Sequence, residues 1–170
     1  MHYQCPPPRN FRPAGGVRQA ICSATPPPFI SREPRYTGRR ALGKAYESRV
    51  HEYLADRFAD QYIPAQWLKF LDAHGVVRWC QPDGLIVDPV LGGICIVEVK
   101  YQHTSDAWWQ LRELYLPVVS AAFGPRDWVY TTCEVVKWYD PATAFPERVT
   151  MVKSPLMTKP REFGLHIWKP

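Results

Sequence analysis

The sequence predicts an α/β domain whose elements run helix, three strands, helix, strand. Three stretches carry that expectation. GRRALGKAYESRVHEYLADRFADQ spaces Leu42, Tyr46, Val50, Tyr53, Leu54 and Phe58 three and four residues apart, the pattern of an amphipathic helix over about 38–60. LIVD and ICIVEVKY are short β-rich runs separated by Pro89, Gly92 and Gly93, the punctuation of a hairpin. TSDAWWQLRELYLPVVSAAFGP reads as a second helix, capped by Thr104 or Ser105 and stopped at Gly124-Pro125.

The remaining elements fall into place around these. PAQWLKFL and a turn at DAHG give a first strand that leads back through VVRWC into the hairpin. In the second helix, Pro117 predicts a kink or an early end. Trp108, Leu111, Tyr115 and Val118 form one stripe of that helix and are expected in the core, while Trp109 lies off it, open to packing or to contact with a partner. DWVYTTCEVVKWY then reads as a fourth strand and ERVTMVK as a fifth.

At 170 residues the chain fits one domain, and its apolar share of 46% is that of an ordinary globular protein. Its 18 prolines are about twice the average usage. Eight of them fall within residues 1–37, with no helical or strand periodicity. That segment is expected to be an extended or disordered basic arm, polyproline-like in places and a candidate for binding a protein partner. The folded domain is expected over 38–152, followed by a basic tail over 153–170.

Charge divides the same way: residues 1–40 carry seven arginines against one acid, and residues 153–170 four bases against one acid. The stretch between them has fourteen acids against ten bases. Basic ends suggest a polyanionic partner held by salt-sensitive contacts, and they also serve solubility. Five cysteines with no C-x-x-C pair and no histidine pair at zinc spacing point away from a disulfide framework or structural zinc and toward reduced thiols. With no run of about 18 apolar residues and no signal-peptide pattern, the expectation is a soluble cytoplasmic protein with no membrane partner.

The chemistry lies in IVEVKYQ, residues 96–102. Alternation puts Ile94, Ile96, Glu98 and Lys100 on one face and Cys95, Val97, Val99 and Tyr101 on the other. Both faces are apolar upstream, so the strand should be central and covered on both sides. If Asp88 pairs near Gly93 or Ile94, paired residue numbers sum to about 181 or 182, which sets Asp83 opposite Glu98 or Val99. Two carboxylates and an ammonium would be costly there unless something offsets their lost hydration. A divalent cation does so: Asp83 and Glu98 are hard oxygen ligands suited to Mg²⁺ or Mn²⁺. Lys100 is then placed to orient or help deprotonate a water and to offset charge developing on phosphorus. The plainer alternatives are a Pro-Asp-Gly turn for Asp83 and an exposed edge-strand ion pair for Glu98 and Lys100.

Pro82-Asp83, a spacer, and Glu98-Val99-Lys100 resemble the motif of the PD-(D/E)XK nuclease superfamily, RecB-like and phage exonuclease-like branch. The resemblance covers roughly residues 38–135. It implies a restriction-endonuclease-like core, a central mixed β-sheet flanked by α-helices. It further implies that Glu47, in GKAYE on the first helix, completes the acidic site, that the Val99 carbonyl assists in holding metal, and that Gln110, in WWQLRELY, faces the site. Tyr115 comes five residues after Gln110, where that branch usually has a tyrosine four after. The four-cysteine iron-sulfur arrangement of some relatives is missing. Arg39, Arg40 and Lys44 at the helix start are candidate phosphate contacts, and His103, just past the lysine strand, is another.

The function this implies is an Mg²⁺- or Mn²⁺-dependent deoxyribonuclease with DNA as partner, in phage or mobile-element DNA processing or repair. If phage-encoded, it would work in the host cytoplasm. Two alternatives stand beside it: a junction resolvase-like, structure-selective endonuclease acting as a homo-oligomer, and a non-catalytic nucleic-acid-binding protein that keeps the nuclease fold.

Overall fold

The protein is described from a computed structural model, in which residues 6–30, 36–124, 127–140, 150–152 and 163–170 are placed. It is a mixed α/β chain with two sheets. The strands are β1 (Gln19–Ser23), β2 (Tyr62–Pro64), β3 (Trp67–Leu71), β4 (Val77–Cys80), β5 (Gly84–Asp88), β6 (Gly93–Gln102), β7 (Val129–Trp138), β8 (Thr150–Val152) and β9 (Phe163–Ile167). Helix α1 spans Arg39–Phe58, and α2 (Ser105–Trp109) runs through a π-helical turn at Gln110–Tyr115 into α3 (Leu116–Phe123).

The larger sheet has the order β2-β5-β6-β7-β9-β8. Its β2/β5 and β5/β6 pairs are antiparallel and the rest are parallel, so the sheet is mixed. The hairpin pairs Asp88 with Gly93 and Gly84 with Val97, a constant sum of 181 that is the register expected from the sequence. Continuing that register by one residue sets Asp83 against Glu98.

Helices cover both faces of this sheet. On one side Tyr46, Val50 and Leu54 of α1 are fully buried against Val97, Val99, Cys133 and Val135. Leu42, expected in that stripe, is instead 54% exposed, in a stretch of α1 before Tyr46 where no residue is buried. On the other side Trp108, Leu111, Tyr115 and Val118 pack on Leu85, Ile94 and Ile96, as their spacing predicts.

The expected first strand, β3, does not join this sheet. It pairs with β4 and β1 in a second, three-stranded antiparallel sheet. The diversion occurs at Ala65, which sits at φ 49°, a left-handed conformation costing an L-residue about 1 kcal/mol. Both of its backbone groups are tied down: its N–H donates to the Asp83 carbonyl at 2.9 Å, and its carbonyl accepts from the Gln81 amide at 2.7 Å. Two extended segments thus leave the same turn in different directions.

The arm reading of residues 1–37 is corrected over the middle of that segment. Gln19–Ser23 is a strand paired with β3, Ala14 is buried in the core, and Phe11 packs against Trp109 with ring centroids 5.9 Å apart. Pro117 helps anchor it. Lacking an N–H, it cannot bond the Glu113 carbonyl one turn earlier, and that carbonyl accepts the Ala14 N–H at 2.8 Å instead. Pro117 neither ends nor interrupts the helical run; the π turn precedes it and α3 continues to Phe123.

Within the expected tail, Phe163–Ile167 forms β9, a buried parallel strand between β7 and β8. FGLHI is apolar enough to fill that slot despite its basic surroundings. Residues 1–5, 31–35, 125–126, 141–149 and 153–162 lie outside the described residues, and with them parts of the expected arm, helix stop at Gly124-Pro125, fifth strand and tail. Among the described residues no helix is long and apolar enough to cross a membrane.

Candidate active site

Pro82-Asp83-Gly84 is not a turn; it is the entry into β5. There Asp83 reaches across to β6, and its Oδ2 accepts the Val99 N–H at 2.6 Å. Gly84 is required sterically: a Cβ there would lie 2.6 Å from Cε2 of Tyr62. Glu98 is 2% exposed on a central strand, which rules out the edge-strand ion pair. Lys100, two residues on and on the same face, donates to Glu98 Oε1 at 2.5 Å. The other carboxylate oxygen of Glu98 is buried with no hydrogen-bond partner among the described residues.

The charges strain one another. Burial raises Glu98 to a pKa of about 8, and Asp83 adds to the shift. Burial also raises Asp83, against the opposing pull of the Val99 N–H and the Lys100 charge. For Lys100, burial acts to lower the pKa, but Glu98, then Asp83 and Glu134, outweigh it and leave the amine raised. We take the trio as a buried and a half-buried carboxyl group sharing one firmly protonated ammonium, one positive charge short of balance when both acids ionise.

Glu47 stands on α1 beside this trio but is otherwise engaged. It accepts from Lys44 at 2.8 Å and lies 3.5 Å from His51, one turn on. The His51 hydrogen bond, ahead of those charges, holds its carboxyl below the ordinary glutamate value. His51 Nδ1 in turn meets the Tyr62 hydroxyl at 2.5 Å. The histidine spacing gives no sign of this chain, but the i, i+4 pairing of Glu47 with His51 does carry it.

Lys100 and Glu47 open onto a cleft of about 260 Å³ that is also lined by Arg40, Lys44, Tyr36 and Tyr101. Two of the three phosphate contacts expected at the start of α1, Arg40 and Lys44, are therefore beside the trio. Arg39 is exposed but does not line the cleft. Helix α1 begins at Gly38 with no side-chain cap and no acid in its first turn, so its positive end is unneutralised.

Gln110 goes elsewhere. It lines a cleft of about 500 Å³ between the helical run and residues 8–12, together with Arg9, Arg12 and Arg78. No hydrogen bond joins it to Asp83, Glu98 or Lys100 among the described residues. Tyr115 lies nearer the acids: burial first, then Glu98 and Asp83, raise its hydroxyl well above its ordinary value. The π turn runs from Gln110 to Tyr115.

One acid went unmarked in the sequence. Glu134 of β7 lies in register beside Glu98, is fully buried, and meets His103 Nδ1 at 2.6 Å. Burial raises its pKa, and His103 and Lys100 oppose the shift. His103, a candidate phosphate contact, is thus committed to this inner pair. The apolar flanks of TTCEVVKW were the available signal, since they bury Glu134 as those of IVEVKYQ bury Glu98.

This chain matches no family model, no curated protein and no solved structure. What its residues can hold must be judged from the donors themselves. No group of three or more His, Cys, Asp or Glu side chains among the described residues is arranged to take a metal ion. Asp83 and Glu98 bring hard oxygen donors, one Glu98 oxygen having no hydrogen-bond partner among the described residues, and Glu47 does not complete a triad with them. A pair suffices for Mg²⁺, which keeps several waters and takes one or two carboxylates.

Proposed function

We propose that this chain is a divalent-metal-dependent deoxyribonuclease of the PD-(D/E)XK kind, with the mixed sheet and its flanking helices as a restriction-endonuclease-like core. The observation that carries the reading is the trio of buried Glu98 with half-buried Asp83 and Lys100, at the carboxyl end of β6 and open to a cleft lined by Arg40 and Lys44. The carboxyl ends of strands are where open α/β sheets take ligands. With both acids ionised the trio is one positive charge short, which a bound cation would offset.

Asp83 and Glu98, with the Val99 carbonyl, would hold Mg²⁺ or Mn²⁺. When bound, such an ion supplies Lewis acidity and lowers the pKa of a coordinated water. The chain's own residues do the rest. Lys100 is charged at neutral pH, so it orients the attacking water and offsets negative charge at phosphorus. Arg40 and Lys44 receive the flanking phosphates, aided by the uncapped start of α1, and Arg39 adds to the field from outside the cleft. Glu47 acts through Lys44 and His51 in fixing the cleft wall.

The test incubates circular and linear DNA with the protein and Mg²⁺ or Mn²⁺, beside Asp83→Ala and Lys100→Ala. Cleavage by wild type, lost in both variants and in EDTA, is the expected result. DNA left whole by all three proteins but retarded on a gel would mean a binding protein that keeps the fold without the activity.

A further inference from the structure

Next to the cleft beside Lys100, the adjacent carboxyl ends of β6, β7 and β9 carry a rim of aromatic rings and lysines. Lys100, Tyr101 and Gln102 end β6; Lys137 and Trp138 end β7 beside them, with Gln102 and Trp138 paired in register. Lys137 Nζ lies 5.6 Å from the Tyr101 ring centroid, and Lys169, just past β9, lies 5.1 Å from that of Trp138. Trp138 is 51% exposed and Tyr36, on the cleft's far wall, is 43% exposed.

The neighbouring Trp168 differs in kind. It stacks on Tyr53 with centroids 5.0 Å apart, and its carbonyl accepts the Tyr46 hydroxyl at 3.0 Å, so it anchors the rim to α1. The rim therefore sets Trp138 and Lys169 on the Lys100 face of the sheet end and Tyr101 and Lys137, with the fixed Trp168, on the α1 face. As surface decoration, each lysine over a ring gains only a fraction of a kcal/mol to about 1 kcal/mol. Half of a tryptophan left in water at the strand end that carries Lys100, with a lysine over its ring, is better explained by a ligand with a flat face and a negative chain.

We propose that this rim binds unpaired nucleotides, so that the cleft receives single-stranded DNA, as in a frayed end or flap, in preference to intact duplex. Base faces are available for stacking only when the strand is unpaired, and lysines between the rings follow the phosphates. The inference rests on the nuclease reading for what happens at Lys100, but binding at the rim does not depend on cleavage.

The test measures fluorescence anisotropy in EDTA with labelled oligothymidylate, a duplex of equal length and an abasic strand of equal length. Wild type binds the oligothymidylate more tightly than the other two. Trp138→Ala weakens that binding about tenfold, and Trp138→Phe restores most of it. Lys137→Ala weakens all three ligands alike, which reports charge without stacking. If the duplex or the abasic strand binds as well as oligothymidylate, or Trp138→Ala changes nothing while circular dichroism shows it folded, the rim is only a positive surface. Cleavage is assayed separately in Mg²⁺: lost cleavage with this order of affinities intact refutes the nuclease reading alone, and the reverse refutes the rim alone.

Discussion

Tyr62 and Gly84 share the space of one side chain, since a Cβ on Gly84 would lie 2.6 Å from Tyr62 Cε2 and 2.7 Å from its hydroxyl oxygen. The ring that uses this space holds His51, and His51 holds Glu47. Gly84→Ala should displace the ring and cost about 1–3 kcal/mol, seen as a lower Tm. Tyr62→Leu added to it should recover part of that loss. A Gly84→Ala protein as stable as wild type would show that the strand shifts to make room.

Lys100 and Glu98 form a pair whose halves are unequal to remove. Lys100→Ala leaves a buried carboxylate without its cation and should cost about 3 kcal/mol in metal-free buffer. Lys100→Met with Glu98→Gln removes both charges and should unfold within about 1 kcal/mol of wild type. Urea denaturation gives both values; equal losses in the two proteins would place the cost in packing.

The raised pKa of Glu98 makes stability depend on pH in a stated direction. An acid that holds its proton more tightly folded than unfolded contributes stability below its unfolded value and loses it as pH rises to its folded value. For Glu98 that window runs from its ordinary 4.5 to about 8, and Asp83, also raised, acts in the same sense. Glu47 is lowered and acts oppositely, contributing stability that is lost only on acidification through its depressed value. Metal-free protein should therefore lose Tm between those limits, and Glu98→Gln should flatten the loss. Added Mg²⁺ should raise Tm more at about pH 8 than at about pH 6, because binding needs ionised carboxylates. Equal increments at both would refute a carboxylate-held ion.

The N-terminal segment is part of the stability of the molecule. Arg78 donates to the Arg12 and Pro13 carbonyls at 2.9 and 2.7 Å, and β1 covers β3 along five paired residues. Removing residues 1–23 should lower Tm by roughly 5 °C or more in calorimetry. An unchanged transition would make the segment an accessory.

Much of this molecule was legible because its signals are local. The α1 stripe, the hairpin register and the buried face of IVEVKYQ all follow from periodicity, and they bring Asp83 to Val99 and Glu98 to Lys100. What escaped was set by long-range pairing. QAICS is a strand only because β3 has an edge to offer, and FGLHI is one only because β7 does. Gln110 faces residues 8–12 because those residues lie there, which no pattern around Gln110 records. Glu134 has no partner nearby in sequence; its histidine is 31 residues away.

The order β7-β9-β8 has a consequence for how the chain is made. When Thr150–Val152 leaves the ribosome, the strand that will sit beside it does not yet exist, because Phe163–Ile167 must first emerge and slide between it and β7. Until then Thr132 to Val136 present an open, mostly apolar edge of main-chain groups, a template for any stray extended peptide. Nascent protein is thus most vulnerable to aggregation in the interval between those two segments, when Glu98 and Lys100 can already face each other but the sheet behind them is unfinished.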